Sequence, residues 1–332
     1  MKKFIRNVLL LAAFCVVFTV AVCVPLDPYN VLFCSKIRDN GVEPNKNYIK
    51  MKYILKNPDL FDSFVFGSSR VGALHMEEVP DMNCFNMTYS QGVPAEHLAN
   101  LKTFLDNGIV PERIFIGVDN ISYTYDPEKH TTEPMRCPYE YLKKHPLTFC
   151  SMYLNPSLAV DSLEVMKGHE RNRDYEEYFF KYGDWTYYGG ATLADKGPET
   201  YEVPVGPVMR MDETLGEIAE IAALCRANDI ELVVFTNPMV DMTYQVAVQQ
   251  DYLTFLERLA EVTPYYNFSG PSDISRDYSY FSDSSHYTAY VGNRMIDCMI
   301  NDNVDERQYS LGFGWYVTPD NVENLLDIMR EQ

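Results

Sequence analysis

Basic residues are scarce in this chain: 28 Lys and Arg stand against 47 Asp and Glu among 332 residues, so the net charge is −19. Such a surface repels the phosphate backbone, and we expect no nucleic-acid partner. Metal-binding patterns are missing as well, since no Cys-x-x-Cys pair occurs and the six histidines lack ligand spacing. We therefore expect no zinc ribbon, no redox motif, no metal site and no cofactor.

Long apolar runs are absent except near the amino terminus, where an uncharged run extends from Val8 to Val24. Together with Phe4 and Ile5, this run can span a ~30 Å hydrocarbon core at ~1.5 Å per helical residue. The positive charges before it are Lys2, Lys3 and Arg6. We interpret residues 1–26 as a cytoplasmic stub and an uncleaved signal-anchor helix, which places the rest of the chain outside the cytoplasm. A cleaved signal peptide is the alternative.

Tryptophan is rare, with 2 Trp against 25 Tyr. A surface rich in Tyr suits sugars and other amphipathic ligands, but Tyr side chains also serve as ordinary packing. Both interpretations stay open.

The cysteines give a further indication of compartment. Cys137 and Cys150 flank a stretch rich in Pro and Tyr. They could form a disulfide in an oxidising compartment, although sequence alone leaves that bond undecided.

Short apolar runs alternate with helical patterns through most of the chain. The runs predict strands at Phe64–Phe66, Cys84–Asn86, Arg113–Val118, Glu231–Phe235 and Tyr266–Phe268. Helical spacing is found over Tyr48–Leu55, from Pro94, from Asp212, over Val246–Val262, after His286 and over Asp320–Arg330. This alternation predicts an α/β, doubly wound fold with a central parallel sheet of about five strands.

The predicted domain organisation has three parts. Residues 1–26 form the anchor, 27–61 a polar lead-in, and 62–332 the α/β domain. Within that domain, the regular pattern breaks down over about 121–207, which is rich in Tyr, Pro and charge. Because nearly ninety residues are too many for a plain loop, we expect a partly helical insertion or lid there.

A serine turn follows the first predicted strand. Gly67 opens the turn and leaves Ser68 and Ser69 at the carboxyl end of that strand, where open α/β sheets bind ligands. Ser69 is our candidate nucleophile. The alternatives are that Ser69 only caps the following helix, or that Ser68 is the nucleophile.

A second segment, Asp283-Ser-Ser-His286, supplies what a serine nucleophile needs. Histidine can take the hydroxyl proton, and a carboxylate on its far nitrogen fixes its tautomer. The backbone N–H groups of Ser69 and Gly92 would then face the developing oxyanion. Alternatively, His286 is bonded to backbone at a helix start, and Asp283 is only a helix cap.

Three short blocks carry a resemblance to the SGNH, or GDSL-like, hydrolase superfamily. Gly67-Ser68-Ser69 resembles the first block, Asn86 through Gly92 the second, and Asp283 through His286 the last Asp-x-x-His block. The resemblance implies Ser69 as nucleophile, His286 as general acid and base, Asp283 as orienting residue, and Gly92 as an oxyanion donor.

The third block departs from the superfamily pattern. Gly117-Val-Asp-Asn120 is similar to Gly-x-Asn-Asp with the last two residues reversed. Asp119 therefore stands where the superfamily has its oxyanion asparagine, and a carboxylate there would oppose an oxyanion. Either Asn120 substitutes through a shifted loop, or backbone donors suffice, or catalysis is weak.

Two further residues are candidates for the site. Arg70 is either an ion-pair partner or a substrate clamp, and Asn237, at a strand tip, is either a turn residue or a group lining the site. With Gly92 and Asn120 they complete the predicted oxyanion and substrate-binding set.

Two functions are consistent with these features. The first is a membrane-anchored serine esterase or O-acyltransferase; by resemblance to teichoic-acid D-alanyl transfer proteins and surface-polysaccharide acyl-modifying enzymes, its substrate would be an acyl ester on an extracytoplasmic glycan. The second is a catalytically inactive SGNH-like domain that binds glycan or a polysaccharide-assembly protein. Hydrolase and transferase share the same acyl-enzyme, so the sequence does not separate them.

Overall fold

A mostly parallel six-stranded sheet forms the centre of the structure, a computed structural model that describes residues 1–33, 36–76, 79–183, 192–197 and 209–331. The strands are β1 (Ser63–Phe66), β2 (Cys84–Asn86), β3 (Arg113–Val118), β4 (Glu231–Thr236), β5 (Tyr265–Asn267) and β6 (Trp315–Val317). Their order is β2-β1-β3-β4-β5-β6. The first five strands run parallel, and β6 runs antiparallel to β5. The predicted α/β class with a parallel sheet is confirmed, whereas β6 was not predicted.

The described residues also form α-helices, which turns and loops connect to the strands. They are α1 (Lys2–Leu26), α2 (Lys46–Lys56), α3 (Pro94–Asp106), α4 (Ile121–Thr124), α5 (Pro127–His130), α6 (Tyr139–Lys144), α7 (Pro146–Tyr153), α8 (Pro156–Asp161), α9 (Leu163–Gly168), α10 (Arg173–Tyr182), α11 (Leu193–Lys196), α12 (Met211–Ala227), α13 (Asp241–Gln249), α14 (Tyr252–Val262), α15 (Asp273–Arg276), α16 (Ala289–Asn301), α17 (Glu306–Ser310) and α18 (Val322–Glu331).

One helix predicted to be continuous is divided into two in the structure. The apolar spacing from Val246 to Val262 predicts a single helix, but the structure has α13 and α14 on either side of Gln250 and Asp251. Asp251 has φ of 58°, a left-handed conformation that Asp tolerates better than most residues and that interrupts the helix.

The helix α1 is long and apolar enough to cross a membrane, with a mean hydropathy of 2.8 over a stretch of 18 residues. Its 25 residues would extend ~38 Å at ~1.5 Å per residue, which exceeds a ~30 Å hydrocarbon core. The predicted apolar helix at the amino terminus is confirmed in this respect, by length and composition.

The chain divides into two compact units. The first comprises Met1–Lys56 and Glu128–Phe180, and the second, which we call the sheet unit, comprises Asn57–Pro127 and Lys181–Gln332. In the first unit, the buried Asn45 donates its amide to the carbonyl of Cys137 at 2.8 Å and to the hydroxyl of Tyr153 at 2.7 Å. Residues predicted as a lead-in and residues predicted as an insertion therefore share one core.

The disulfide left open by the sequence is not formed. Cys137 and Cys150 are both free thiols, the first buried and the second exposed. The thiol of Cys137 donates a hydrogen bond to the carbonyl oxygen of Thr131, with 3.3 Å between sulfur and oxygen.

The described part of residues 121–207 is helical, from α4 through α11. Residues 184–191 and 198–208 lie outside the described residues, and the interpretation of the insertion as a lid stays a prediction.

In the sheet unit, the central strands β1 and β3 are short, mostly apolar and buried. Phe64 and Phe66 of β1 both pack against Phe104 of α3, with ring centroids 4.8 and 6.2 Å apart. At ~25 cal/mol per Å² of apolar area, burial of such side chains is the main stabilising contribution to this core. The polar tips of β1, β3 and β4 therefore rest on a close-packed base.

Candidate active site

The serine turn owes its shape to two glycines. A Cβ on Gly67 would lie 2.6 Å from Cγ1 of Val71, and a Cβ on Gly117 would lie 2.4 Å from the same atom. Val71 belongs to the 3-10 turn Ser69–Ala73 that follows β1, and it is fully buried. Glycine at both positions thus lets this turn pack onto the ends of β1 and β3, and Ser69 becomes its first residue.

Ser69, His286 and Asp283 converge in the structure. The Nε2 atom of His286 lies 2.8 Å from the Oγ of Ser69, and its Nδ1 atom lies 2.9 Å from both carboxylate oxygens of Asp283. Because a carboxylate can only accept, Nδ1 carries the ring proton and Nε2 is left to accept from the serine. This is the hydrogen-bond order that activates a serine hydroxyl.

The two serines of the turn differ in exposure. Ser69 is partly exposed, whereas Ser68 is only 2% exposed. The Oγ of Ser68 donates to Asp119 at 3.3 Å, and its carbonyl accepts from the hydroxyl of Thr88 at 2.5 Å. A substrate can therefore reach Ser69, while Ser68 faces the protein interior.

Asp283 shapes its own loop as well as facing the imidazole. Its Oδ1 accepts the backbone N–H groups of Ser285 at 2.7 Å and of His286 at 2.9 Å. Partial burial raises the pKa of the carboxyl, but the hydrogen bond and charge of His286 with those two N–H groups outweigh burial and lower the pKa to about 2. The carboxylate therefore stays ionised across the whole neutral and mildly acidic range.

Asp119 is neutralised by Arg70. The Nη1 atom of Arg70 lies 3.0 Å from Oδ2 of Asp119, and the two side chains are 3% and 1% exposed. The same oxygen accepts from the amide of Asn237 at 2.9 Å, and Oδ1 accepts from the backbone of Ile121 at 2.8 Å. The carboxylate is thus satisfied inside the protein, which removes the objection that its charge would meet an oxyanion uncompensated.

The remaining candidates have internal partners. The Oδ1 atom of Asn120 accepts from Arg70 at 3.1 Å, and its Nδ2 donates to Gln250 at 2.8 Å. The Oδ1 atom of Asn237 accepts from the hydroxyl of Tyr287 at 3.4 Å. The predicted substrate-binding roles of Arg70, Asn120 and Asn237 find no support in these contacts, because all three side chains are buried.

Gly92 is close to the serine turn but donates elsewhere. A Cβ there would lie 2.4 Å from the carbonyl oxygen of Gly67, so only glycine permits this approach. Its N–H donates to the carbonyl of Tyr89 at 3.2 Å. The predicted oxyanion donation from Gly92 is therefore not supported by its hydrogen bond.

Two residues that the sequence analysis does not single out, Lys196 and Thr243, bind the segment before His286. Lys196 donates its Nζ to the carbonyl of Ser282 at 2.8 Å, and the hydroxyl of Thr243 donates to the carbonyl of Ser284. The Ser282 N–H also donates to the carbonyl of His286 at 2.9 Å. Lys196 and Thr243 are distant in sequence from this segment, so no spacing rule could have found their contacts.

We also looked for metal sites and cavities away from Ser69, His286 and Asp283 in the part of the chain that the structure describes. No group of three or more His, Cys, Asp or Glu side chains in it could hold a metal ion. A cavity of about 410 Å³ lies beside α16 and is lined by Tyr290, Arg294 and Asp305. None of the three converging residues lines this cavity, so it is separate from the triad.

Comparison with known proteins adds no relative: no protein-family model, no curated protein and no solved structure matches this chain.

Proposed function

We propose that this protein is a membrane-anchored serine esterase or O-acyltransferase of the SGNH type, with Ser69 as nucleophile, His286 as general acid and base, and Asp283 as the residue that orients the imidazole. The convergence of these three residues, with contacts of 2.8 and 2.9 Å, is the observation that carries the proposal. Segments 217 residues apart in sequence would not meet in this hydrogen-bond order for helix capping alone.

The strand order supports a doubly wound fold for the same domain. The first five strands follow the order 2-1-3-4-5, which is the flavodoxin-like order. The direction of strand succession reverses between β1 and β3, and open α/β sheets bind ligands beyond the carboxyl ends of strands at that point. Ser69 follows β1 and Asp119 follows β3, so the proposed site occupies the expected crevice.

The proposed reaction starts when the Oγ of Ser69 attacks the ester carbonyl carbon and its proton passes to Nε2 of His286. The tetrahedral intermediate then expels the alcohol, which takes that proton, and the acyl group remains on Ser69. Water yields a free acid, whereas an acceptor hydroxyl yields a transferred ester. Asp283 stabilises the imidazolium in both steps through Nδ1.

Backbone donors are the best candidates for the oxyanion hole. Ser69 is the first residue of a 3-10 turn, so its N–H has no acceptor within that turn. Pairing of Asp119 with Arg70 leaves the surroundings without an uncompensated negative charge on this side. An oxyanion beside Ser69 is therefore compatible with the local electrostatics.

The proposed location follows from the amino terminus. Lys2, Lys3 and Arg6 lie at the start of α1, and positive charge favours the cytoplasmic side of a spanning helix. The remaining chain would then be extracytoplasmic, where an acyl ester on a surface or exported glycan is the substrate suggested by the motif resemblance. Proteins of polysaccharide assembly are the proposed partners.

Labelling with a fluorophosphonate probe tests the proposal on the full-length protein in detergent. We expect the wild type to be labelled and Ser69→Ala to be unlabelled, because the probe reacts with an activated serine. Ser68→Ala is the matched control, since Ser68 is buried against Asp119, and it should keep labelling. Labelling of Ser69→Ala would refute the assignment of the nucleophile, and an unlabelled wild type would favour the inactive glycan-binding domain.

A further inference from the structure

Arg70 touches both halves of the proposed site through one guanidinium. Its Nε atom lies 3.2 Å from the carbonyl oxygen and 3.3 Å from the hydroxyl of Ser285. Its Nη1 atom lies 3.0 Å from Asp119 and 3.1 Å from the Oδ1 of Asn120. The side chain is 3% exposed, so these partners rather than water define its position.

The residues that Arg70 joins are next to the proposed nucleophile and base in the sequence. Arg70 directly follows Ser69, and Ser285 directly precedes His286. The bond from Nε to the Ser285 carbonyl therefore fixes the distance between the backbones that carry the nucleophile and the base. The contacts to Asp119 and Asn120 fix the guanidinium itself on the tip of β3.

Two side chains from outside the base-bearing loop support it at positions further from the imidazole. Lys196 holds the carbonyl of Ser282, and Thr243 holds the carbonyl of Ser284. Arg70 holds the carbonyl of Ser285, which is adjacent to His286. Loss of this last contact frees the part of the loop whose position sets the contact between Nε2 and Oγ.

The planar fork of arginine suits this task. Nε and Nη1 donate in fixed directions, so one residue can hold a carbonyl on one side and a carboxylate on the other. A lysine ammonium is a compact charge on a flexible stem and can neutralise Asp119 without holding both partners in register. The geometry is thus specific for arginine and not merely for positive charge.

We infer that Arg70 is a positioning residue that couples the serine turn, the tip of β3 and the His286 loop, and that it sets the contact between Ser69 and His286. The effect on rate rests on the proposed function, whereas the effect on the loop does not. Displacement of a reacting group by ~1 Å can cost ~100-fold in rate, so a large kinetic effect is expected from a change that touches no substrate.

The test compares Arg70→Lys with Arg113→Lys in the full-length protein. Arg113 pairs with Glu231 at 2.7 Å on the surface of the same strand whose tip bears Asp119, so it controls for loss of an arginine ion pair. We expect the rate of fluorophosphonate labelling to fall about 10- to 100-fold for Arg70→Lys and to stay within about twofold of wild type for Arg113→Lys. With 4-nitrophenyl acetate, kcat should fall while KM stays within about twofold, because positioning of the base affects the chemical step.

A second variant separates positioning from folding. Arg70→Met with Asp119→Asn removes both charges together, so no unpaired charge is left buried. If the pair served stability alone, this folded double variant would be labelled at the wild-type rate, and that result would overturn the inference. We expect slow labelling, as for Arg70→Lys.

Hydrogen exchange gives a readout that needs no activity. The N–H groups of Ser285 and His286 donate to Asp283, so their exchange reports on the loop. We expect exchange at these amides at least about tenfold faster in both Arg70 variants than in wild type and in Arg113→Lys. Unchanged exchange overturns the inference at any labelling rate. If the wild type is not labelled at all, the proposed function fails and the exchange result still decides the role of Arg70.

Discussion

Two side-chain pairs in the candidate site differ sharply in exposure. Arg70 and Asp119 are 3% and 1% exposed, whereas His286 and Asp283 are 21% and 41% exposed. The buried pair is enclosed by protein, so its contacts can hold the surrounding backbone in place. The second pair is open to solvent, and the proposed mechanism assigns proton transfer to it. Rigidity and proton transfer are thus assigned to different pairs within one site.

Breaking the buried pair should have the largest effect. Asp119→Leu leaves the guanidinium of Arg70 buried and unpaired, and we expect a loss of about 3–5 kcal/mol in the free energy of unfolding. Glu231→Gln is the control, because it breaks the exposed pair with Arg113 and should cost about 1 kcal/mol or less. Urea unfolding measures both. Equal losses in the two variants would contradict the comparison.

Breaking the open pair should affect turnover more than stability. Asp283→Asn keeps an oxygen that can accept from the backbone of Ser285 and His286, but it removes the charge that would stabilise the imidazolium in the proposed mechanism. We expect ester turnover to fall about 10²- to 10⁴-fold, measured with 4-nitrophenyl acetate. The urea midpoint should move less than for Asp119→Leu, because solvent screens the partly exposed pair. A large shift of that midpoint with unchanged turnover would reverse the roles that we assign.

The smallest effect concerns acid stability. The pKa of Asp283 is lowered to about 2 in the folded protein from an ordinary value of 3.8, so the folded state binds fewer protons between these values. Its stabilising contribution is present above about pH 4 and is lost as pH falls toward 2. The difference in unfolding free energy between wild type and Asp283→Asn should therefore be constant above about pH 4 and shrink below it. A difference that grows with acidification would mean that the pKa is raised rather than lowered.

Buried apolar runs made the main strands predictable from sequence. Phe64 to Phe66 and Arg113 to Val118 are nearly all buried, so their hydrophobicity is visible without knowledge of their neighbours. The strand β6 is harder to predict because it is only three residues long and lies at the sheet edge, where Trp315 is half-buried and Tyr316 is exposed. Edge elements depend on their partner strand, which the sequence does not show.

The triad was predictable because its chemistry restricts the residue types and their order. The surrounding network was not, because its contacts join distant segments: Asp119 meets Asn237 across 118 positions, and Asn120 meets Gln250 across 130. The sequence therefore shows Asp119 as a departure from the pattern that the motifs resemble but does not show that Arg70 neutralises it.

The distance along the chain between Ser69 and His286 has a consequence for synthesis. The two residues are 217 positions apart, with most of the sheet unit and part of the first unit between them. At a ribosomal rate of ~5–20 residues per second, about 10–40 s separate the emergence of the serine from that of the histidine. During that interval the nascent polypeptide carries the Ser69 hydroxyl without His286, so the proposed activation of this serine must await the later segment.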